Sequence, residues 1–522
     1  MDKQFPKVLD KFKGHLGFRK LLHGLEKEAL RVDRYGYLSQ DPHPEVFGSA
    51  LTNSIITTDF SEAQLEFITQ PHHSIEQCMR EMEEIHCYVY QHLDNEILWP
   101  SSMPCMLKSE QRVPIADYGN SNLGKYKQLY RRGLGVRYGR YMQTISGLHF
   151  NFSISPELWN TFADFQHTSN SVEFRNHSYL SLIRNFRRYS WLLLYLFGAS
   201  PAVCGSFLAG QEHDLQSEDS DTFYLPHATS LRSGKLGYQS KVQSQYPISF
   251  NSISDYVESM VKLLSLPYPQ YEELSVRGRS GQFQQLSPAI LQIEAESYGV
   301  IRPKPRAQTG LRPIVALHKF GIEYLEVRCL DLNPFCPTGI DKQTLYFLDV
   351  FMLWSWMLSS RLDSPTSWNE VHHNQAVTVN TGRAAETTIS LDGVNHNLRE
   401  LGTTIVESMV PLAAIIDEVC ETTKHSESVR LQLQKLADAE LTPSAEILRE
   451  IRLNQPTYYH LVSDSAKKYQ QTFLATSLPL EREQAIDSEA ARSIEQERAI
   501  TQADRLTFEE YLEESAVVDF SA

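Results

Sequence analysis

Apolar residues recur at steps of three or four through Ile75, Cys78, Met82, Ile85 and Val89, directly after Ser74 and Gln77 at capping-box spacing. This pattern predicts an amphipathic helix from Ser74 to about Asp94, with His86 beside the apolar stripe in a packing or surface role. Other segments alternate with the period of two that belongs to strands. In Gly24-Leu25-Glu26-Lys27-Glu28 the two carboxylates share a face and Lys27 turns away. In Gly147-Leu148-His149-Phe150-Asn151-Phe152 the Phe rings take one side, and His149 and Asn151 the other. In Ile322 to Arg328, Glu326 and Arg328 lie opposite Leu325 and Val327. A fourth strand-and-turn pattern, Thr57 to Phe67, adds Asp59, Glu62 and Glu66.

Two longer apolar runs predict buried helices. Tyr189 to Gly210 carries no charge over 22 residues, but Gly198, Ser200, Pro201 and Gly205 interrupt it after Phe197, so a core helix ending in a tight loop is expected and a membrane span is not. Leu345 to Leu358 is short and contains Asp349. No period of 20 to 50 residues repeats, which disfavours solenoids and propellers. Residues 360–480 show helical patterns and no chemical motif. Gln211 to Asp221 reads as a solvated acidic loop, and the 12 acidic and 4 basic residues from Glu481 to Ala522 read as a polar helical segment packing weakly on the body.

Composition narrows the function classes. The 522 residues contain 49 Lys and Arg against 64 Asp and Glu, a formal charge of −15, so broad charge-driven binding of nucleic acid is not expected. Met1 to Gly24 offers no continuous apolar stretch of a signal peptide, and a cytoplasmic location is expected. The seven Cys at 78, 87, 105, 204, 329, 336 and 420 form no CxxC pair and read as buried thiols.

The acid-bearing strands then acquire a meaning. Any one of them alone reads as a strand with a wet face, but carboxylates gathered from several strands need cations, and Mg2+ is the hard, oxygen-preferring ion of the cytosol. Magnesium held by several acids points to a nucleoside triphosphate. There is no GxxxxGK[ST], and Gly133 to Gly139 does not match GxGxxG, so neither a P-loop nor a dinucleotide fold is expected. Arg131, Arg132, Arg232 and the run Arg302-Pro303-Lys304-Pro305-Arg306 supply cations suited to phosphate and carboxylate oxygens.

At these segments the chain resembles the glutamate-cysteine ligases of gamma-proteobacteria, the first enzymes of glutathione synthesis. The resemblance rests on GLEKEALRV, TTDFSEAQLEFIT, WPSSMPC, LYRRGL, MQTISGLHFNFS, YLPHATSLRSGKLGY, LQIEAESYGVIRPKP and GIEYLEVRCLDLNPF, in family order over about residues 20–340. It implies an α+β fold with an antiparallel sheet curled into a funnel, helices outside, and a glutamine synthetase-like catalytic sheet. It also implies a single catalytic domain over 1–522, with a mostly helical C-terminal part from about 360. Glu26, Glu28, Asp59, Glu66, His149 and Glu326 are the implied ligands of up to three Mg2+ ions, with Mn2+ as a substitute. Arg328 is the implied partner of glutamate and of the transferred phosphoryl group. The cysteine pocket would draw on Phe60, Tyr130, Leu134, Gln143, Ile145, Arg232, Tyr238 and Tyr298, with Arg232 on the cysteine carboxylate. Arg131, Arg302 and Lys304 are the implied ATP contacts. The implied partners are L-glutamate, L-cysteine and ATP, with glutathione as a feedback inhibitor, no nucleic acid or membrane, and a monomeric state. A carboxylate-amine ligase with another acceptor would use the same metal and glutamate residues, and the aromatic pocket with Arg232 favours a small amino acid. A non-enzymatic metal-binding relative would be expected to lack some of Glu26, Glu28, Glu66 and Glu326, and all four are present.

Overall fold

A computed structural model describes residues 3–521 apart from 218, 220, 238–241, 275, 279, 280 and 307–309. Seven strands form its main sheet: β1 (Leu22–Asp33), β2 (Ile56–Thr58), β3 (Gln64–Ile68), β4 (Glu96–Leu98), β5 (Gly147–Ser153), β6 (Ile301–Lys304) and β7 (Tyr324–Asp331). They follow the order β2-β3-β1-β5-β7-β6, with β4 added to the far end of β1, and every pairing is antiparallel. The path is open, with β2 and β6 as its ends, and no pairing among the described strands closes it. The fold is α+β, with helices against the reverse face.

Each strand forms where its alternation lets one row pack. Leu25, Ala29, Leu65, Phe67, Leu148, Phe150, Phe152, Leu325 and Val327 are fully buried and make the apolar reverse side. Helices α1 (Ile75–His92), α2 (Asn122–Tyr138), α3 (Val172–Phe197), α4 (Lys342–Met357), α5 (Pro365–Thr381), α6 (Leu398–Cys420) and α7 (Lys424–Ala437) follow. Of these, α1 packs behind β1 and β3, α3 against β6 and β7, and α4 between α1 and α3. Lys27 is buried on the reverse side, where its Nζ lies 2.7 Å from Nε2 of His86, so His86 packs and also partners a charge that β1 turns inward. Burial brings the Lys27 ammonium down to about 7, which suits a neutral amine in that position.

The helix expected at Ser74 is present, and the Ser74 hydroxyl accepts the Gln77 amide. The run from Tyr189 ends as helix at Phe197, where Gly198 leaves helical dihedrals at φ −58°, ψ 126°, and a Cβ there would lie 2.5 Å from the Leu194 carbonyl oxygen and 2.7 Å from that of Thr229. Among the described residues no helix is long and apolar enough to cross a membrane.

Two expectations are corrected. Cys105 and Cys204 form a disulfide, with Cα atoms 5.3 Å apart, so the cysteines are not all thiols. Ninety-nine residues separate the two, and only the tertiary fold brings them together. The second concerns the acidic C-terminus, which buries little beyond Ile486, Ala490 and Ser493 yet is tied to the body by specific polar contacts. Its helices α8 (Leu480–Ala503) and α9 (Phe508–Ala516) run along the body as a strap. Arg482 pairs with Glu81 at 2.5 Å, Tyr88 donates to Asp487 at 2.6 Å, the Ser49 amide donates to Ser493 Oγ at 2.9 Å, and the Asn122 amide donates to Asp504 at 2.7 Å. Gly48 sits at φ 75°, and a Cβ there would lie 2.3 Å from Ser493 Oγ, so the strap approaches as closely as backbone allows.

Candidate active site

Register decides which polar side chains meet. Glu26 lies opposite His149, Glu28 opposite Glu66, and Glu326 between Asn151 and Arg302. The rows read along single strands therefore become one acidic and basic field on the exposed side of the sheet. This side lines a cavity of about 590 Å3. Ligand atoms of Glu26, Glu66 and His149 all lie within 4.8 Å of one another, a spacing that a single metal ion can span. His149 Nδ1 is 3.2 Å from Glu26 and 3.4 Å from Glu326, and Asn151 Nδ2 donates to Glu26 at 2.8 Å.

The field is divided electrically. Burial pushes the Glu28 carboxyl up to about 8, with the Asp59 charge adding to it. Burial likewise raises Glu66 well above the carboxylate range, helped by Glu26, Asp59 and Glu28. Glu326 behaves oppositely: burial opposes its charge, yet Arg328, Lys304 and Arg302 hold it well below the ordinary value. Their nitrogens stand 3.4, 3.6 and 3.8 Å from its oxygens. One end of the cavity is thus short of positive charge and the other is rich in it. That is a place for cations at the first end and for anionic substrate between the two.

The remaining walls come from helices and loops. Helix α2 starts at the Ser121 cap and presents Tyr130, Arg131 and Leu134 to the cavity. Arg131 also donates to the Asp59 carbonyl and lies over the Tyr118 ring at 4.5 Å. Tyr298 is reached by Gln143 Nε2 at 3.3 Å, and its segment is fixed by the fully buried pair Arg137–Glu296 at 3.0 Å. Arg232 rides on a short 3-10 turn, Leu231–Ser233. Its guanidinium lies so close to β5 that a Cβ on Gly147 would come within 2.0 Å of Nη2.

The cavity is lined by all the metal-ligand candidates, by Arg328, Arg131, Arg302 and Lys304, and by Phe60, Tyr130, Leu134, Gln143, Arg232 and Tyr298. Ile145 is wholly buried and is not among the lining residues. Tyr238 lies outside the described residues. Arg132 turns away and donates to the Phe283 carbonyl.

Sequence reasoning also missed wall residues. Trp368, Val371, His372 and Gln375 of α5 border the cavity, although residues 360–480 showed no motif. Cys329 lines it as well, against the alternation, because a register shift between Val327 and Leu330 lets both Arg328 and Cys329 face inward. No local signal marks that bulge.

An antiparallel sheet here turns clustered carboxylates and opposed cations into the wall of one cavity, an arrangement suited to an enzyme of anionic substrates. The sequence pattern of the family described as glutamate-cysteine ligase matches residues 7–378. A glutamate-cysteine ligase of Saccharophagus degradans is 41% identical over 95% of this chain and 94% of that protein, and one of Pseudomonas fluorescens is 44% identical over 90% and 88%. The crystal structure of the Francisella tularensis glutamate-cysteine ligase in complex with AMP is similar at a TM-score of 0.88 and 31% identity, covering 95% of this chain and 97% of that one. The chain belongs to the glutamate-cysteine ligase family. It catalyses the joining of glutamate to cysteine, the first step of glutathione synthesis.

Proposed function

We propose that the cavity holds ATP, glutamate and cysteine side by side and that the γ-carboxylate is activated by phosphorylation. The observation that carries this reading is Glu326 set among Arg302, Lys304 and Arg328 at one end of a row that continues through His149 and Glu26 to Glu66 and Glu28. Mostly oxygen donors with one imidazole suit Mg2+, or Mn2+ in its place, and Glu26, Glu28, Asp59, Glu66, His149 and Glu326 would hold it. When bound, the metal supplies positive charge to the phosphate oxygens. AMP in the Francisella tularensis relative supports a nucleotide site here.

A carboxylate resists attack by an amine because its oxygen is a poor leaving group. In this reading the glutamate γ-carboxylate oxygen attacks the ATP γ-phosphorus, the bond to the β-phosphate oxygen breaks, and ADP leaves. The cysteine amine then attacks the γ-carbonyl carbon of the acyl phosphate, phosphate departs, and the amine proton is released. Arg328 orients glutamate and meets the transferred phosphoryl group, while Arg131, Arg302 and Lys304 hold the ATP phosphates. Arg232 holds the acceptor carboxylate, and Phe60, Tyr130, Leu134, Gln143 and Tyr298 enclose its small side chain and keep water from the acyl phosphate. Glutathione contains both joined substrates, which supports its binding across the same two subsites as a feedback inhibitor.

A monomeric, cytoplasmic enzyme of one catalytic domain completes the reading, in line with cytosolic supply of ATP and thiol. The funnel expected of the sheet belongs to it too, and rests on the family membership. ADP and phosphate should form only when ATP, Mg2+, glutamate and cysteine are all present. Formation of AMP and pyrophosphate would overturn the acyl-phosphate route, and faster ligation of another amine in a panel would replace cysteine as acceptor.

A further inference from the structure

We propose that Asp331 is the positioning residue for Arg232, and that it sets the affinity for the amino-acid acceptor without touching it. The inference rests on the reading that Arg232 meets the acceptor carboxylate. Asp331 ends β7, opposite Gly147, and does not line the cavity. It is buried, and a buried carboxylate is tolerated only when its oxygens are satisfied. Both are. Oδ2 accepts the Ala199 amide at 2.8 Å and the Ser200 hydroxyl at 2.6 Å, and Oδ1 accepts the Ser230 hydroxyl at 3.0 Å.

These partners are the ones that shape the turn carrying Arg232. Ser230 caps it, accepting the Ser233 amide, and Ser200 Oγ accepts the Arg232 amide at 3.3 Å while its carbonyl accepts the Leu231 amide at 2.7 Å. The same carboxylate faces the guanidinium, with Oδ1 3.7 Å from Nη1. Nη2 donates to the Arg328 carbonyl at 3.1 Å and lies against Gly147, where no side chain would fit. One carboxylate therefore orders the backbone under Arg232, and its charge and the neighbouring strands hold the guanidinium at its far end. A side chain so placed reaches the cavity chiefly through Arg232.

The test is steady-state kinetics of Asp331→Asn, Ser230→Ala, Arg232→Lys and the double variant Asp331→Asn/Arg232→Lys, with cysteine and with its decarboxylated analogue 2-aminoethanethiol. In Asp331→Asn the KM for cysteine should rise about tenfold or more while those for glutamate and ATP change by no more than about twofold. The preference for cysteine over 2-aminoethanethiol in kcat/KM should fall by the same factor, which a general loss of structure would not produce. The double variant should be no worse than Arg232→Lys alone, because the two side chains act as one unit. Ser230→Ala, a milder change, should shift the cysteine KM in the same direction and serves if Asp331→Asn does not fold. An unchanged cysteine KM in Asp331→Asn and Ser230→Ala beside a raised one in Arg232→Lys overturns this proposal alone. An unchanged cysteine KM in Arg232→Lys overturns the assignment of Arg232 itself.

Discussion

At the scale of single residues, function and stability pull against each other. Glu26, Glu28, Asp59 and Glu66 crowd one end of the cavity, and burial with mutual repulsion raises Glu28 and Glu66. Without metal that arrangement costs free energy. Glu66→Gln should therefore melt at or above wild type when metal is absent, yet lose about 100-fold or more of its ligation rate at limiting Mg2+. Calorimetry with and without Mg2+ checks the first part and turnover the second; a metal-free variant that melts lower would remove Glu66 from the repelling set. Gly147 gives a second case. Its missing side chain admits the Arg232 guanidinium, and its amide donates to Glu28 at 2.7 Å. Gly147→Ala should displace the guanidinium and raise the cysteine KM about tenfold or more, with a stability loss of about 1–3 kcal/mol from overpacking. The carboxylate pair on β1 and the imidazole on β5 were legible from period-two alternation, since side-chain direction along a strand is a local property. The roles of Gly147 and Asp331 were not, because both depend on Arg232 arriving from a distant turn.

Between elements, a buried chain of acids and imidazoles ties the sheet to the helices behind it. His23 on β1 stands 2.9 Å from Asp349 on α4, Asp349 stands 3.6 Å from His425 on α7, and His425 Nδ1 is 2.9 Å from Asp417 on α6. Burial works against a charge on His425, but bonds to Asp349 and Asp417 hold its pKa above the ordinary value. Burial also opposes ionisation of Asp349 and Asp417; His23 and His425 keep Asp349 below the ordinary value, and the His425 and Ser426 side chains with their backbone amides do the same for Asp417. The sign follows for each. A raised His pKa stabilises fully below the ordinary value of about 6.5 and is lost as pH rises through the folded pKa, while lowered Asp pKa values are lost as pH falls. His425→Phe should therefore cost about 3 kcal/mol near pH 6 and clearly less at pH 9. Melting of both proteins across that range is the measurement, and a deficit that does not change with pH would reduce His425 to packing. Asp349 was visible as the odd charge in an apolar helix, and its partners, on β1 and α7, were not.

For the whole molecule, the strap of α8 and α9 joins parts that the sheet leaves separate. It touches α1 through Arg482, the 47–54 loop through Glu489 and Ser493, and α2 through Asp504, and Arg312 donates to the Ser515 carbonyl at 3.2 Å while bridging to Glu294. Two of these contacts, α2 and the segment after Glu294, carry Tyr130, Leu134 and Tyr298 of the cavity wall. Ending the chain before Leu480 should lower the melting temperature and raise the KM for cysteine more than that for glutamate, because the strap holds α2 and the segment after Glu294 directly and reaches the β1 row only through α1. Equal changes in both constants would confine the strap to general stability. An acidic helix read from charge alone looks weakly held, since composition does not show the Gly48 notch that receives it. What the sequence determined by itself was the local chemistry: alternating strands with their acid rows, the capped helix at Ser74, the interrupted apolar helix ending at Phe197, and motifs specific enough to imply the family. Those depend on side-chain period and on neighbours within a few residues. The tertiary structure alone decided the register that sets Glu26 against His149 and Glu326 beside Arg302, the bulge that turns Cys329 inward, the α5 wall, the Cys105–Cys204 link and the seat of Arg232. Each joins groups tens to hundreds of residues apart, and such pairings are selected by the packing of the whole chain, which no local pattern encodes.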